Sequence, residues 1–133
     1  MGSEALAPAR PNAGAPIPGE TEALARWPEL RPFVARVEAR YGDRLRAVLL
    51  YGSRARGEAR EDSDYDVALL LEGPFDMYQE VGELAEMTHD DFMDGLYIQG
   101  RPIRTERVAS PDRQDFFARN VALDGIALFG EKP

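Results

Sequence analysis

Four residues between positions 52 and 66 have the types and the spacing that phosphate and metal chemistry requires. Gly52 and Ser53 end an apolar run, and Asp64 and Asp66 follow after a ten-residue interval. Glycine lets the backbone approach a ligand closely, and a serine hydroxyl with the free N–H groups of a following helix can hold phosphate oxygens. The segment predicts a nucleotide-binding turn formed by Gly52, Ser53 and Arg54, with the arginine supplying positive charge.

The two aspartates predict a metal site. Asp64 and Asp66 are two positions apart at the start of a predicted strand, so their side chains point to the same face, with Cα atoms about 7 Å apart. Mg²⁺ prefers oxygen ligands and commonly bridges protein carboxylates to substrate phosphates. Two such ions about 4 Å apart would suit in-line nucleotidyl transfer. We therefore predict that Asp64 and Asp66 are both catalytic and metal-binding.

Two apolar runs carry these residues. Residues 47–51 have no polar face, which is typical of a central strand buried on both sides. Residues 64–71 predict a second strand, which ends before Gly73 and Pro74. The interval between them is long enough for a short helix and a return loop. The aspartates are therefore expected to lie on a strand adjacent to the one that ends in the Gly-Ser turn.

Helices are predicted on both sides of these strands. Apolar residues recur every three or four positions over residues 24–41 and again over residues 75–92, which is helical spacing. Residues 96–108 are predicted to be extended, with a break near position 100. A helix is expected from a cap at Ser110 to a stop at Gly125, followed by a short last strand.

The length, composition and net charge of the chain limit the class of protein. The chain has 133 residues, which fits one domain, with 44% hydrophobic and 30% charged residues. Residues 1–20 are rich in Ala, Pro and Gly and are predicted to be a flexible tail before a domain at residues 21–133. We expect a cytoplasmic protein, because the sequence has no cysteine and no apolar membrane or signal segment. The net charge of −8 argues against nucleic acid as the principal partner.

The pattern of Gly52-Ser53, ten residues and Asp64-x-Asp66 resembles the signature of the DNA polymerase beta-like nucleotidyltransferase superfamily. The string GSRARGEAREDSDYDVALLL resembles in particular the minimal nucleotidyltransferases, which are antitoxin partners of HEPN-domain toxins. The resemblance implies an α/β (α+β) fold, with a small mixed β-sheet flanked by helices. It also implies Mg²⁺-dependent transfer of AMP from ATP to a tyrosine of a HEPN toxin, which silences the toxin.

The sequence departs from the family at one position. The family usually supplies a third carboxylate from a later strand, but the matching region, residues 101–106, has no Asp where one would align. The possible substitutes are Asp90, Asp91, Asp94 and Glu106. The absence bears on catalytic rate more than on nucleotide binding, because the third carboxylate helps to activate the attacking hydroxyl.

Two alternatives to the enzyme that modifies a protein follow. The first is a catalytically weak binding module that neutralises a HEPN partner by docking, which the missing carboxylate favours. The second is an aminoglycoside-type enzyme acting on a small molecule. Such enzymes usually need a second domain to hold the acceptor, for which this chain has little room.

Two polar residues near the predicted site have both a structural and a functional interpretation. Arg56 can contact a phosphate, or it can form a surface ion pair with Glu58 or Asp62, an interaction that contributes little. His89 is the single histidine. It is better explained as a residue near a helix end than as a metal ligand.

Overall fold

The computed structural model describes residues 17–133, which form one mixed sheet with helices on both faces. The order of the strands is β3-β2-β1-β4, with β2 and β3 parallel and the other pairs antiparallel. This arrangement confirms the predicted fold class. The strands are β1 Leu45–Tyr51, β2 Tyr65–Leu71, β3 Ile98–Arg104 and β4 Ile126–Gly130. The helices are α1 Arg31–Tyr41, α2 Ser53–Arg56, α3 Met77–Met87, α4 His89–Met93, α5 Thr105–Ala109 and α6 Phe116–Asp124.

Both faces of β1 and β2 are covered, which the apolar run of residues 47–51 predicts for β1. Alternate residues of β1, such as Val48 and Leu50, pack in the same core cluster as Phe33 of α1. The intervening residues, such as Leu49, pack with Val121 of α6 on the other face. Two covered faces explain why these strands lack the alternation of apolar and polar residues that a half-exposed strand shows.

The predicted helix over residues 75–92 is two helices, α3 and α4, which meet at Thr88. The Thr88 hydroxyl donates a hydrogen bond to the Leu84 carbonyl at 3.0 Å, a local interaction that competes with regular helix geometry. The apolar residues predicted to share one side have different surroundings. Leu84 is buried, whereas Tyr78 is 92% exposed and Phe92 is 59% exposed.

The region after β3 differs from the prediction. Residues 98–104 form a strand without a break, and residues 105–109, most of which were expected to be extended, form α5. Helix α6 begins at Phe116 rather than after Ser110. Its cap is Asp115, whose carboxylate accepts a hydrogen bond from the Ala118 N–H at 3.1 Å. Aspartate is a preferred cap residue, and a bidentate hydrogen bond from Arg107 also holds Asp115 in place.

The N-terminal end of the described chain packs against the domain. Ile17 is 7% exposed in the main core cluster, and Glu20 forms a bridge with Phe129 of β4 and an ion pair with Arg31 at 2.6 Å. The predicted boundary at residue 20 therefore differs from the observed packing, which includes residues 17–20; the rest of the predicted tail lies outside the described residues. Across residues 17–133, no helix has the length and hydropathy needed to span a membrane.

Candidate active site at the end of β1 and β2

The turn after β1 depends on a glycine. Gly52 has φ +78° and ψ −157°, a conformation that side-chain-bearing residues rarely adopt. A Cβ placed on Gly52 would lie 2.5 Å from Oδ2 of Asp66. The backbone therefore passes directly against this carboxylate, and helix α2 begins at the next residue, Ser53. The structure places Gly52, Ser53 and Asp66 together at one end of the sheet.

The aspartate pair lies beside this turn. The antiparallel register of β1 and β2 pairs Tyr51 with Asp66, and Asp64 immediately precedes β2. Asp64 is exposed, whereas Asp66 is half-buried. Burial is the main cause that raises the pKa of Asp66, and the negative charge of Asp64 raises it further. The charges of Arg101 and Arg56 act in the opposite direction.

These two carboxylates fit a divalent cation. Within the described residues, Asp66 has no ion-pair partner, so its desolvated charge and that of Asp64 are not neutralised by direct contact. No group of three or more His, Cys, Asp or Glu side chains in residues 17–133 could hold a metal. Mg²⁺ commonly takes only one or two protein carboxylates and completes its coordination with water and substrate phosphates. The pair therefore suits Mg²⁺ bound together with a nucleotide.

Ser53 and Arg54 differ in their surroundings. Within residues 17–133 the Ser53 side chain makes no hydrogen bond, so its hydroxyl can donate to a ligand. Arg54 donates through Nη2 to the carbonyls of Ser63 at 2.8 Å and Glu61 at 3.1 Å. Its guanidinium also lies 4.1 Å from the centre of the Tyr65 ring. Arg54 therefore holds the loop that returns to Asp64, and its contact with a nucleotide stays a prediction.

Arg56 forms the predicted surface pair. Its guanidinium binds Glu58 at 2.9 Å and also Asp124, at the end of α6, at 2.8 Å. The contact with Asp124 joins residues that are 68 positions apart in the sequence, and no local pattern indicates it. Arg56 is therefore fixed beside the aspartate pair, where its positive charge opposes the rise in the pKa of Asp66.

The position expected for a third carboxylate holds other residues. The parallel register of β2 and β3 pairs Asp66 with Gln99 and Ala68 with Arg101. Paired residues of adjacent strands share a face, so an amide and a guanidinium lie on the face that carries Asp66. Neither group can act as the carboxylate that usually helps to activate an acceptor hydroxyl.

The four candidate substitutes lie elsewhere. Asp91 is buried and binds Arg36 at 2.6 Å, so its charge is already compensated. Glu106 follows the end of β3, whereas Gln99 is near the start of that strand, and Glu106 binds Arg104 at 2.6 Å. Neither supplies a third carboxylate to the pair. Asp90 and His89 are exposed on α4, and Asp94 is exposed directly after that helix.

Arg101 lies close enough to the aspartate pair for its charge to act on Asp66, and the sequence prediction did not single it out. Its guanidinium lies 5.5 Å from the centre of the Phe117 ring, which also contacts the Tyr51 ring edge-on at 5.7 Å between centroids. Arg101 is exposed, and its charge acts on both Asp66 and Tyr51. The sequence could have indicated Arg101, because it lies in the region that was expected to supply the third carboxylate. An exposed guanidinium here suits the phosphates of a nucleotide.

Two solved structures share the fold. One is a crystal structure of a toxin–antitoxin with AMP-PNP, with a TM-score of 0.54, 19% identity, and coverage of 74% of this chain and 72% of the other. The second is a substituted form of the toxin–antitoxin MntA-HpeT, with a TM-score of 0.53, 17% identity, and coverage of 75% and 73%.

The sequence comparisons show the family. A protein of Methanocaldococcus jannaschii, named as a candidate protein adenylyltransferase, is 34% identical over 100 residues, which cover 75% of this chain and 94% of that protein. Residues 39–132 match the family model described as "Polymerase beta, Nucleotidyltransferase". This match spans the Gly-Ser turn, the aspartate pair and β3. The chain therefore belongs to the polymerase beta nucleotidyltransferase family.

Proposed function

We propose that this protein is an antitoxin that transfers AMP from ATP to a tyrosine of a HEPN-domain toxin in the cytoplasm. The observation that carries the proposal is the close contact between Gly52 and Asp66, with Asp64 and the free Ser53 hydroxyl beside it. A turn suited to phosphate thus adjoins two carboxylates suited to Mg²⁺. The toxin–antitoxin with AMP-PNP and the M. jannaschii relative support the partner, the nucleotide and the protein acceptor.

The residues have distinct roles in the proposed reaction. Ser53 and the N–H groups that follow Gly52 bind phosphate oxygens, and Arg101 contributes positive charge from β3. Asp64 and Asp66 would hold Mg²⁺. When bound, the ion would neutralise charge on the phosphates and favour the ionised form of an acceptor hydroxyl.

The transfer itself forms one bond and breaks one. The tyrosine oxygen bonds to the α-phosphorus of ATP, the bond from that phosphorus to the bridging oxygen breaks, and pyrophosphate leaves. The hydroxyl proton passes to solvent. A tyrosine hydroxyl has an ordinary pKa of about 10 and is therefore a poor nucleophile at neutral pH. Because Gln99 and Arg101 occupy the face where a carboxylate base would lie, we expect slow transfer.

The test is mass spectrometry of a purified HEPN partner after incubation with this protein, ATP and Mg²⁺. We expect a mass gain of one or more AMP units on a tyrosine. The gain should disappear in Asp64→Ala and Asp66→Ala, whereas Asp62→Ala, an exposed aspartate of the preceding loop, should retain it. An unmodified partner under these conditions would contradict the proposal.

A second candidate function is neutralisation by docking alone. Gln99 and Arg101 on the face that carries Asp66 favour docking, because with these residues the site has no third carboxylate. Co-expression of the toxin with Asp64→Ala separates the two. Toxicity that returns with this variant supports transfer, whereas full protection by a variant that still binds the toxin supports docking.

A further inference from the structure

A groove of about 620 Å³ lies between β3 and the helices α3 and α4. Its walls include Ile98 and Gly100 of β3 and Leu84 and Thr88 of the helical side. Asp64 also lines it, so this α3–β3 groove opens onto the outer member of the aspartate pair. A molecule bound in the groove would therefore reach the candidate active site directly.

Several exposed apolar side chains line the α3–β3 groove. Of the eight exposed large apolar side chains among residues 17–133, six lie between positions 77 and 97. Three of the six line the groove, namely Val81, Phe92 and Tyr97, which are 44%, 59% and 37% exposed. The rings of Phe92 and Tyr97 lie 5.2 Å apart and present aromatic surface to solvent. Clustered exposed apolar groups mark a binding surface more often than scattered ones do.

The elements around the groove are strongly acidic. Residues 61–100 contain twelve Asp and Glu and neither Lys nor Arg. Half of the 24 acidic residues of the protein are therefore in the segment that forms β2, α3, α4 and the start of β3. Four of the twelve form ion pairs with arginines from outside the segment. The other eight, which include Asp64, Asp90 and Asp94, leave a negative local field that repels the triphosphate of ATP and attracts a positively charged chain.

Two arginines place positive charge on the side of the aspartate pair that faces α6. Arg56 binds Asp124 at the end of α6, and Arg101 packs on Phe117 of the same helix. The groove beside α3 and α4 has neither Lys nor Arg among its lining residues. The cationic side suits the triphosphate, and the groove remains for the second substrate.

We propose that the α3–β3 groove binds the acceptor, as a segment of a partner protein in which basic residues flank the reactive tyrosine. Phe92 and Tyr97 pack against apolar and aromatic side chains of that segment, and the surrounding carboxylates pair with its cations. This arrangement presents the tyrosine hydroxyl toward Asp64. The inference rests on the proposed transfer to a tyrosine.

A peptide probe tests this inference in the full-length protein. The probe is fluorescein-labelled and has one tyrosine between two pairs of arginines; a matched peptide has glutamates in their place. Binding is measured by anisotropy, and the affinity for ATP with Mg²⁺ is measured separately by calorimetry. The variant is Phe92→Ala, and the matched control is Phe116→Ala, which removes a ring that is 70% exposed on α6.

We expect Phe92→Ala to weaken binding of the arginine peptide by about fivefold or more, as for an aromatic interface residue, while its affinity for ATP is unchanged. Phe116→Ala should change neither affinity, and the glutamate peptide should bind more weakly than the arginine peptide. The inference is overturned if the arginine peptide does not bind, if both variants weaken it equally, or if Phe92→Ala weakens ATP binding instead.

The same variant separates this inference from the proposed function. If the HEPN partner is modified by Phe92→Ala at the parental rate, the groove assignment fails and the proposed transfer stands. If the parent never modifies the partner although peptide binding depends on Phe92, the proposed transfer fails and the groove stands as a protein-binding site.

Discussion

The backbone of Gly52 and the carboxylate of Asp66 occupy adjacent space, since a Cβ on Gly52 would lie 2.5 Å from Oδ2 of Asp66. Any side chain at position 52 must therefore displace the carboxylate or the turn. This relationship couples the proposed phosphate-binding turn to the proposed metal-binding pair. One methyl group should disturb both.

We expect Gly52→Ala to lower stability by about 1–3 kcal/mol through backbone strain and to abolish Mn²⁺ binding, with Mn²⁺ used as a probe for Mg²⁺. The control is Gly57→Ala. Gly57 also has a positive φ, +76°, but a Cβ there would meet no atom within 4 Å. Gly57→Ala should therefore lose stability and retain Mn²⁺ binding. Thermal unfolding and Mn²⁺ relaxation measurements test this, and equal Mn²⁺ affinity in the two variants would contradict it.

Asp66→Asn should raise the melting temperature of the metal-free protein by a few degrees at pH 7. Burial and the charge of Asp64 raise the pKa of Asp66 in the folded state, so the ionised carboxylate is less stable there than in the unfolded chain. Stability is therefore lost as pH rises through the folded-state pKa of Asp66. The gain in Asp66→Asn should vanish below the ordinary pKa of Asp, about 3.9.

Scanning calorimetry at several pH values measures this effect, with Asp62→Asn as an exposed control that should change little. With Mg²⁺ and ATP present, the parent should melt at a higher temperature than Asp66→Asn, because ligands stabilise only the protein that binds them. A metal-free Asp66→Asn protein that melts below the parent at pH 7 would disprove the charge-repulsion account.

Arg101→Ala should weaken binding of ATP with Mg²⁺ by about ten- to a hundredfold, because a hydrogen bond to a charged group contributes about 1.5–3 kcal/mol. Arg104→Ala is the matched control. Arg104 lies on the same strand, but at the other end, where it binds Glu106 at 2.6 Å. Calorimetric titration should show a loss for Arg101→Ala alone. Equal affinities for the two variants would remove Arg101 from the nucleotide site.

Deleting residues 1–16 should leave the melting temperature nearly unchanged, whereas deleting residues 1–20 should lower it by several degrees. The longer deletion removes Ile17, whose burial contributes about 1.5–3 kcal/mol, and the ion pair of Glu20 with Arg31. Similar melting temperatures for both deletions would contradict this account.

Hydrogen bonds from Arg31 and from the Ile17 N–H lower the pKa of Glu20 to about 2. The Glu20→Gln protein should therefore be less stable than the parent at pH 7, and this difference in stability should be lost as the pH falls toward 2.

Local sequence determined much of the fold. An apolar run without a polar face identified β1, because both faces of a central strand must be covered, and residues 64–71 were predicted as the second strand, β2. Gly42 stopped α1 with a φ of +56°, since glycine tolerates a conformation that other residues avoid. The types and spacing of Gly52, Ser53, Asp64 and Asp66 predicted a turn beside an adjacent strand, which is where the structure has them, and their roles in binding stay predictions.

Tertiary structure decided which faces are covered and which strands lie side by side. Helical spacing predicts that Leu84 and Phe92 share a side, but only Leu84 is buried. Burial depends on which parts of the chain pack against a helix, and spacing does not specify them. The parallel register that pairs Asp66 with Gln99, and the contact of Arg56 with Asp124, join residues distant in sequence. Such long-range pairings depend on how the whole core packs, and a local sequence pattern does not specify that packing.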